Sequence, residues 1–270
     1  MKEIIYLDGK FVRAQEAKIS ALAPGFLQGM GVFETMRAYN KKIIGLDYHL
    51  KRIKSGCAFI GIKIPYPADK LKKIIYQALD LSVYADNYIK LAVWKELEGT
   101  GVLIFVKEYQ PYSAQKYRIG FRAGVSSLRQ SEANLFAAVK TTNRLLYELS
   151  FQQAKQKGFD EAIILNDRGY ITEASRSNIF FAKDNELFTP SLDCGCLEGI
   201  TRKIIFEQAK KHKINICEGK FTLFDLYKAD EAFLANSLIG VMPLAGVENK
   251  LINNGNRGKL TNLFIAGYKF

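Results

Sequence analysis

The sequence predicts an α/β protein with mixed sheets, folded as two units, and three observations carry that expectation. Strand-like alternation and helical spacing of apolar residues are interleaved along the whole chain rather than segregated into halves. The 270 residues are 48% hydrophobic and 12% aromatic, enough to bury one large core or two medium ones. The segment 109–114, Tyr-Gln-Pro-Tyr-Ser-Ala, has the breaker and polar content of a linker and divides a smaller N-terminal unit, 1–113, from a larger one, 114–270.

Taken in order, residues 4–7 and Val12 alternate like strands, 25–31 is a glycine-rich connection, and 31–39 is a strand ending at an Asn40-Lys41 turn. His49, Leu50, Ile53 and Cys57 fall at helical spacing, and 70–81 repeats the pattern after the Pro65-Tyr66-Pro67 break. Residues 88–94 and 102–108 read as paired strands. In the second unit, 118–125 and 136–140 are predicted strands, 143–157 a helix closed by Gly158, and 161–165 a strand that turns at Asn166-Asp167-Arg168-Gly169 into 170–175. Residues 179–181 and 187–189 form a predicted hairpin around Asp184-Asn185. A helix near 201–213, strands near 214–218, 231–236 and 241–247, and a helix near 257–267 complete the chain.

Composition narrows the functional classes. The net charge of +12 divides evenly about residue 113, and the lysine pairs 41–42, 72–73 and 210–211 are short, unlike the stripe or tail of a nucleic-acid binder. A diffuse positive field serves instead to draw in small anions. No run of about 18 apolar residues is present and the first residues lack a signal-peptide core, so neither a membrane partner nor export is expected and a cytoplasmic protein is. Four cysteines are too few and too irregular for a disulfide framework, and Cys194-Gly195-Cys196 has the wrong spacer for zinc, so no metal site is expected.

The stretch 173–202 concentrates the chemistry. Alternation puts Ile171, Glu173 and Ser175 on one face, so a carboxylate projects from a rigid strand. After the cysteine turn, Gly199-Ile200-Thr201-Arg202 opens a helix whose unpaired N–H groups and adjacent hydroxyl suit an anion. Lys140 ends the apolar run Phe136-Ala137-Ala138-Val139, where desolvation would ease loss of its proton and make it a nucleophile.

The spaced block Glu173-x-Ser175-x-x-Asn178-Ile179-Phe180, Leu187-x-Thr189 and Leu197-x-Gly199-Ile200-x-Arg202 resembles the class IV aminotransferase signature of the fold type IV pyridoxal-phosphate enzymes. That family includes branched-chain and D-amino-acid aminotransferases and aminodeoxychorismate lyases. Gly29-x-Gly31-Val32-Phe33-Glu34, His49-x-x-Arg52, Lys140-Thr141-Thr142-Asn143-Arg144, Asn236-Ser237 and Pro243 follow the family's order, so the resemblance covers nearly the whole chain.

The resemblance implies a small N-terminal α/β domain and a larger C-terminal domain with pyridoxal 5′-phosphate between them. It implies that Lys140 forms the Schiff base and acts as general base and acid, and that Glu173 faces the pyridine nitrogen. Arg52, the backbone of Ile200, Thr201, Ser237 and the Leu238 backbone would hold the phosphate. His49 is expected as a packing and hydrogen-bonding residue, and Gly29-x-Gly31 as a turn near the site. Phe33, Lys90 and Lys95 are candidates for the substrate pocket. Lys90 stands in a Tyr-Ile-Lys element similar to the Tyr-Ile-Arg of branched-chain enzymes, and a lysine there lacks the bidentate fork. The expected reaction is transamination between a small amino acid and a 2-keto acid, with lyase chemistry releasing pyruvate and 4-aminobenzoate as the alternative. Family members are dimers, which implies a homodimer here.

Overall fold

The computed structural model describes residues 3–268. The chain forms two compact units, one from 3–110 together with Val139–Asn143, the other from Pro111–Ala138 together with 144–268.

In the first unit the strands are β1 (Glu3–Leu7), β2 (Lys10–Val12), β3 (Gly31–Tyr39), β4 (Lys42–Ile43), β5 (Asp86–Lys95) and β6 (Thr100–Glu108), with helices α1 (Pro24–Leu27), α2 (Leu46–Phe59) and α3 (Ala68–Leu81). The sheet order is β2-β1-β6-β5-β3-β4, and every pairing is antiparallel. Asn40 and Lys41 both take positive φ, 46° and 64°, which is the two-residue turn whose twist suits a β3–β4 hairpin. One sheet face carries Ile4, Tyr6, Val32, Met36, Leu91 and Ile104 into a core completed by the apolar stripes of α2 and α3. In α3 that stripe is Leu71, Ile74, Ile75, Ala78 and Leu79.

Residues 139–143 are stitched to the start of β3. The Phe33 N–H donates to the Lys140 carbonyl (2.9 Å), the Thr142 N–H to Gly31 (2.9 Å), and Val32 and Thr141 form an isolated antiparallel bridge. The strand expected at 136–140 is therefore corrected: Leu135–Ala138 is a 3-10 turn and only residue 141 bridges. Asn134 causes the diversion, because its Oδ1 accepts the Phe136 N–H and its carbonyl accepts the Ala137 N–H, both at 3.0 Å.

In the second unit the elements are α4 (Ala114–Ile119), β7 (Phe121–Gln130), α5 (Leu145–Gln156), β8 (Glu161–Asn166), β9 (Ile171–Ala174), β10 (Asn178–Lys183), β11 (Glu186–Pro190), α6 (Ile200–Lys211), β12 (Ile216–Gly219), α7 (Leu223–Tyr227), β13 (Glu231–Asn236), β14 (Gly240–Val247), β15 (Lys250–Leu251) and α8 (Lys259–Gly267). The strand expected over 118–125 starts at Phe121, because the Ser113 hydroxyl caps α4 by accepting the Lys116 N–H (3.2 Å). The sheet order is β12-β11-β10-β13-β14-β7-β8-β9, with β15 paired to β14. Ile171 in β9 donates its N–H to the Phe221 carbonyl (2.7 Å), two residues beyond β12, so the last strand in the order meets the segment that follows the first. Both faces of β8, β9 and β14 are buried. The β10–β11 hairpin turns on Asp184 and Asn185, with φ of 51° and 64°, and Phe180 and Phe233 stack across β10 and β13 at 5.1 Å.

Gly240 opens β14 at φ 65°, and a Cβ there would lie 2.6 Å from the Tyr268 ring. Gly240→Ala is expected to cost about 2 kcal/mol, adding left-handed strain to displacement of Tyr268. Thermal denaturation reads this directly, and an unchanged melting temperature would contradict the packing described.

Candidate active site

The first unit holds a buried polar cluster on an otherwise apolar face. Period-two alternation along β3 points Val32, Glu34 and Met36 toward α2, and His49 and Arg52, three residues apart, share the helix face that meets them. The Arg52 Nε donates to Glu34 Oε1 and its Nη2 to Oε2, each at 2.7 Å, while His49 Nδ1 lies 2.6 Å from Oε2. The Glu34 and His49 side chains are fully buried and Arg52 is 16% exposed. Burial alone would raise the Glu34 carboxyl, but the Arg52 charge and the hydrogen bonds from Arg52 and His49 outweigh it and bring the pKa to about 2. Burial pushes His49 below its ordinary value near 6.5 despite the pull of Glu34, so the imidazole is neutral at pH 7 and donates through Nδ1.

The opposite parity of β3 presents Phe33. Its ring lies 4.6 Å from Lys90 Nζ on β5 and 4.8 Å from Lys140 Nζ on the stitched segment, so the structure brings these three candidates together. Phe33 pairs with Ala92 and Thr35 with Lys90, so Lys90, Ala92 and Phe33 share a sheet face. Strand parity puts Lys95 on the other face, apart from them. Lys140 is half-buried rather than enclosed, and burial lowers the pKa of Lys90.

In the second unit Glu173 is 5% exposed on β9. The Asn178 amide reaches its Oε2 at 3.4 Å while holding the Leu197 carbonyl at 2.8 Å. Tyr147, from α5, hydrogen-bonds Glu173 and accepts from Gln130 Nε2 at 3.0 Å. Burial and the Glu173 charge hold the Tyr147 phenol well above its usual range, so it stays protonated and donates to the carboxylate. The Arg144 guanidinium stacks 3.5 Å above the Tyr147 ring and donates to the Ser175 carbonyl (3.0 Å).

Helix α6 opens after Gly199 with no side chain capping it and no acidic residue in its first turn. Ile200 and Thr201 are buried there, and the Thr201 hydroxyl lies 3.1 Å from that of Tyr268. A Cβ on Gly199 would stand 1.9 Å from Asn178 Oδ1, so the glycine lets the amide that contacts Glu173 pack against the helix start. Ser237 and Leu238 follow β13 in an Asn turn, where Asn236 Oδ1 accepts the N–H groups of Leu238 (2.9 Å) and Ile239 (3.0 Å). The Leu238 N–H is thus already engaged by Asn236.

Sequence reasoning overlooked Tyr147, the contacts of Asn178 and of Glu34, and the ion pair that buried Arg202 makes with Glu218. Glu34 and Asn178 stood inside the quoted motifs. Tyr147 carried no signal beyond its place in a helix three residues after Arg144. Among the described residues no group of three or more His, Cys, Asp or Glu could hold a metal ion, and no helix is long and apolar enough to cross a membrane.

Residues 31–247 match the family model described as amino-transferase class IV. The chain belongs to this family. It is 30% identical to the branched-chain-amino-acid aminotransferase of Pseudomonas aeruginosa, over 98% of this chain and 91% of that one. It is 28% identical to the aminodeoxychorismate lyase of Bacillus subtilis, over 98% and 94%. The branched-chain aminotransferase of Thermoproteus uzoniensis, solved with norvaline, superimposes with a TM-score of 0.90 at 30% identity, covering 98% and 93%. The cofactor of this class IV enzyme is pyridoxal 5′-phosphate. Each unit carries groups that suit it: the first an amine beside an aromatic face and an arginine fork, the second a buried carboxylate hydrogen-bonded by Tyr147 and Asn178 and an uncapped helix start.

Because the Glu34 and His49 pKa values are both depressed in the folded state, the unfolded chain takes up these protons first and stability falls on acidification. The His49 contribution is lost as pH drops below about 6.5, and the Glu34 contribution between about 4.5 and about 2. His49→Gln is expected to flatten the upper limb of the melting-temperature profile and leave the lower one, and parallel profiles would refute the assignment.

Proposed function

We propose that this aminotransferase moves the amino group of a branched-chain or similar small aliphatic amino acid to a 2-keto acid. Lys140 would hold the cofactor aldehyde, Arg52, Ile200, Thr201 and Ser237 its phosphate, and Glu173 its pyridine nitrogen. The observation that carries the reading is Lys140, whose backbone is tied to β3 and whose Nζ lies over Phe33. When bound, the cofactor supplies an electron sink for the pair left when the substrate Cα loses its proton.

The residues of the chain do the remaining work. Lys140 would serve as the general base that takes the proton from the substrate Cα and as the general acid that gives it back. Glu173, hydrogen-bonded by Tyr147 and Asn178, would face the pyridine nitrogen and balance its positive charge. Lys90, beside Phe33, supplies a point charge for the substrate carboxylate, and Phe33 an apolar wall for its side chain. Relatives named as branched-chain aminotransferases support the substrate class. The relative named as a lyase makes pyruvate release the second outcome to test.

Borohydride reduction of the holoenzyme should trap the cofactor on Lys140, as read by peptide mass spectrometry. Lys140→Ala should lower kcat by at least about 10³, the scale set by losing a positioned acid–base group. A panel of L-branched amino acids, D-alanine and aminodeoxychorismate separates the readings. Keto-acid formation from the first set supports this proposal, whereas pyruvate from aminodeoxychorismate alone replaces it with the lyase.

The enzyme is further proposed to be a cytoplasmic homodimer. Three of its four free thiols are buried, which suits a reducing compartment. Ile19, Leu22, Phe26 and Leu27 are exposed, and Ile19, Phe26 and Leu27 line a hollow of about 700 Å³ in the first unit, an apolar patch of the kind a second copy covers. Sedimentation should give twice the chain mass and Phe26→Asp should shift it toward the monomer. A fully active monomer would exclude the dimer.

A further inference from the structure

We propose that Glu34 is a positioning residue that fixes the guanidinium plane of Arg52 for the cofactor phosphate. The inference rests on the reading of Arg52 as a phosphate ligand and deepens it. Arginine on a helix ordinarily samples many rotamers, and ordering it costs conformational entropy. Here two neighbouring N–H groups of one guanidinium end on the two oxygens of one carboxylate, each at 2.7 Å. That carboxylate is in turn pinned by His49 at 2.6 Å. Glu34 and His49 are fully buried, so the clamp is anchored in the core between β3 and α2 while Arg52 keeps a solvent-facing side.

Electrostatics alone argues against finding a carboxylate there. An anion beside an anion site repels the ligand, and burying it carries a desolvation penalty. A neutral His49 adds a donor without adding charge, so Glu34 and Arg52 together carry no net charge. The attraction left for a phosphate comes from the direction of the Arg52 donors, and Glu34 sets that direction. Three roles then differ in sign. If Glu34 only offsets charge, its removal tightens phosphate binding. If it only supports the fold, its removal lowers stability and leaves phosphate recognition alone. If it positions Arg52, its removal weakens phosphate recognition although the site becomes more positive.

Equilibrium dialysis of the full-length chain freed of cofactor, against pyridoxamine 5′-phosphate and against pyridoxamine, isolates the phosphate contribution as the ratio of the two dissociation constants. Glu34→Gln is expected to reduce this ratio at least about tenfold, and Arg52→Met as much or more. Arg52→Lys, which keeps the charge and loses the fork, should fall with Glu34→Gln. An unchanged or larger ratio in Glu34→Gln, with a reduced one in Arg52→Met, overturns the positioning role and leaves the Arg52 reading intact. An unchanged ratio in Arg52→Met overturns both. Should Glu34→Gln not fold, Arg52→Lys decides, and a wild-type ratio there overturns the inference.

Discussion

The backbone pairing between the start of β3 and residues 140–142 is the constraint on which the first unit's candidate residues depend. These few hydrogen bonds, from Phe33 and Thr142 and across the Val32–Thr141 bridge, bring a segment from far along the chain onto a strand edge. A backbone fixed in this way delivers the Lys140 amine to the ring of Phe33 without burying it in the core. The proposed role of Lys140 requires its amine to reach a substrate, and a half-buried lysine on a rigid edge suits that better than one sealed inside.

Each unit solves the same problem with different means, namely how to keep a charged side chain in one orientation. In the first, a neutral imidazole and a buried carboxylate hold a guanidinium. In the second, a phenol and an amide hold a carboxylate. In both, the charged group meets hydrogen-bond donors or acceptors whose own partners lie in strands or helices, so little reorganises when charge develops nearby. The glycines at 199 and 240 belong to this economy of space: one admits the Asn178 amide beside the helix start, the other the Tyr268 ring whose hydroxyl meets Thr201.

Local pattern carried most of the first unit, where 31–39 ends on its turn residues as expected and the stripes of α2 and α3 follow helical spacing. It failed where side chains bond their own backbone. Asn134 bends 136–138 out of the strand that their apolar character suggests, and Ser113 starts a helix inside the expected linker. Such competition is invisible to periodicity, because it depends on one hydrogen bond rather than on a repeating pattern.

Residue types and their spacing carried the resemblance to the family, and through it implied the cofactor and which amine, acid and helix start to look for. Folding settled which of these groups have companions and which way they face. Lys90 stands with Phe33 and Lys95 does not, because strand parity places alternate residues on opposite faces. Tyr147 reaches Glu173 and Glu34 grips Arg52 because a helix face and a strand face meet at one register, and contacts between residues distant in sequence leave no trace in local spacing.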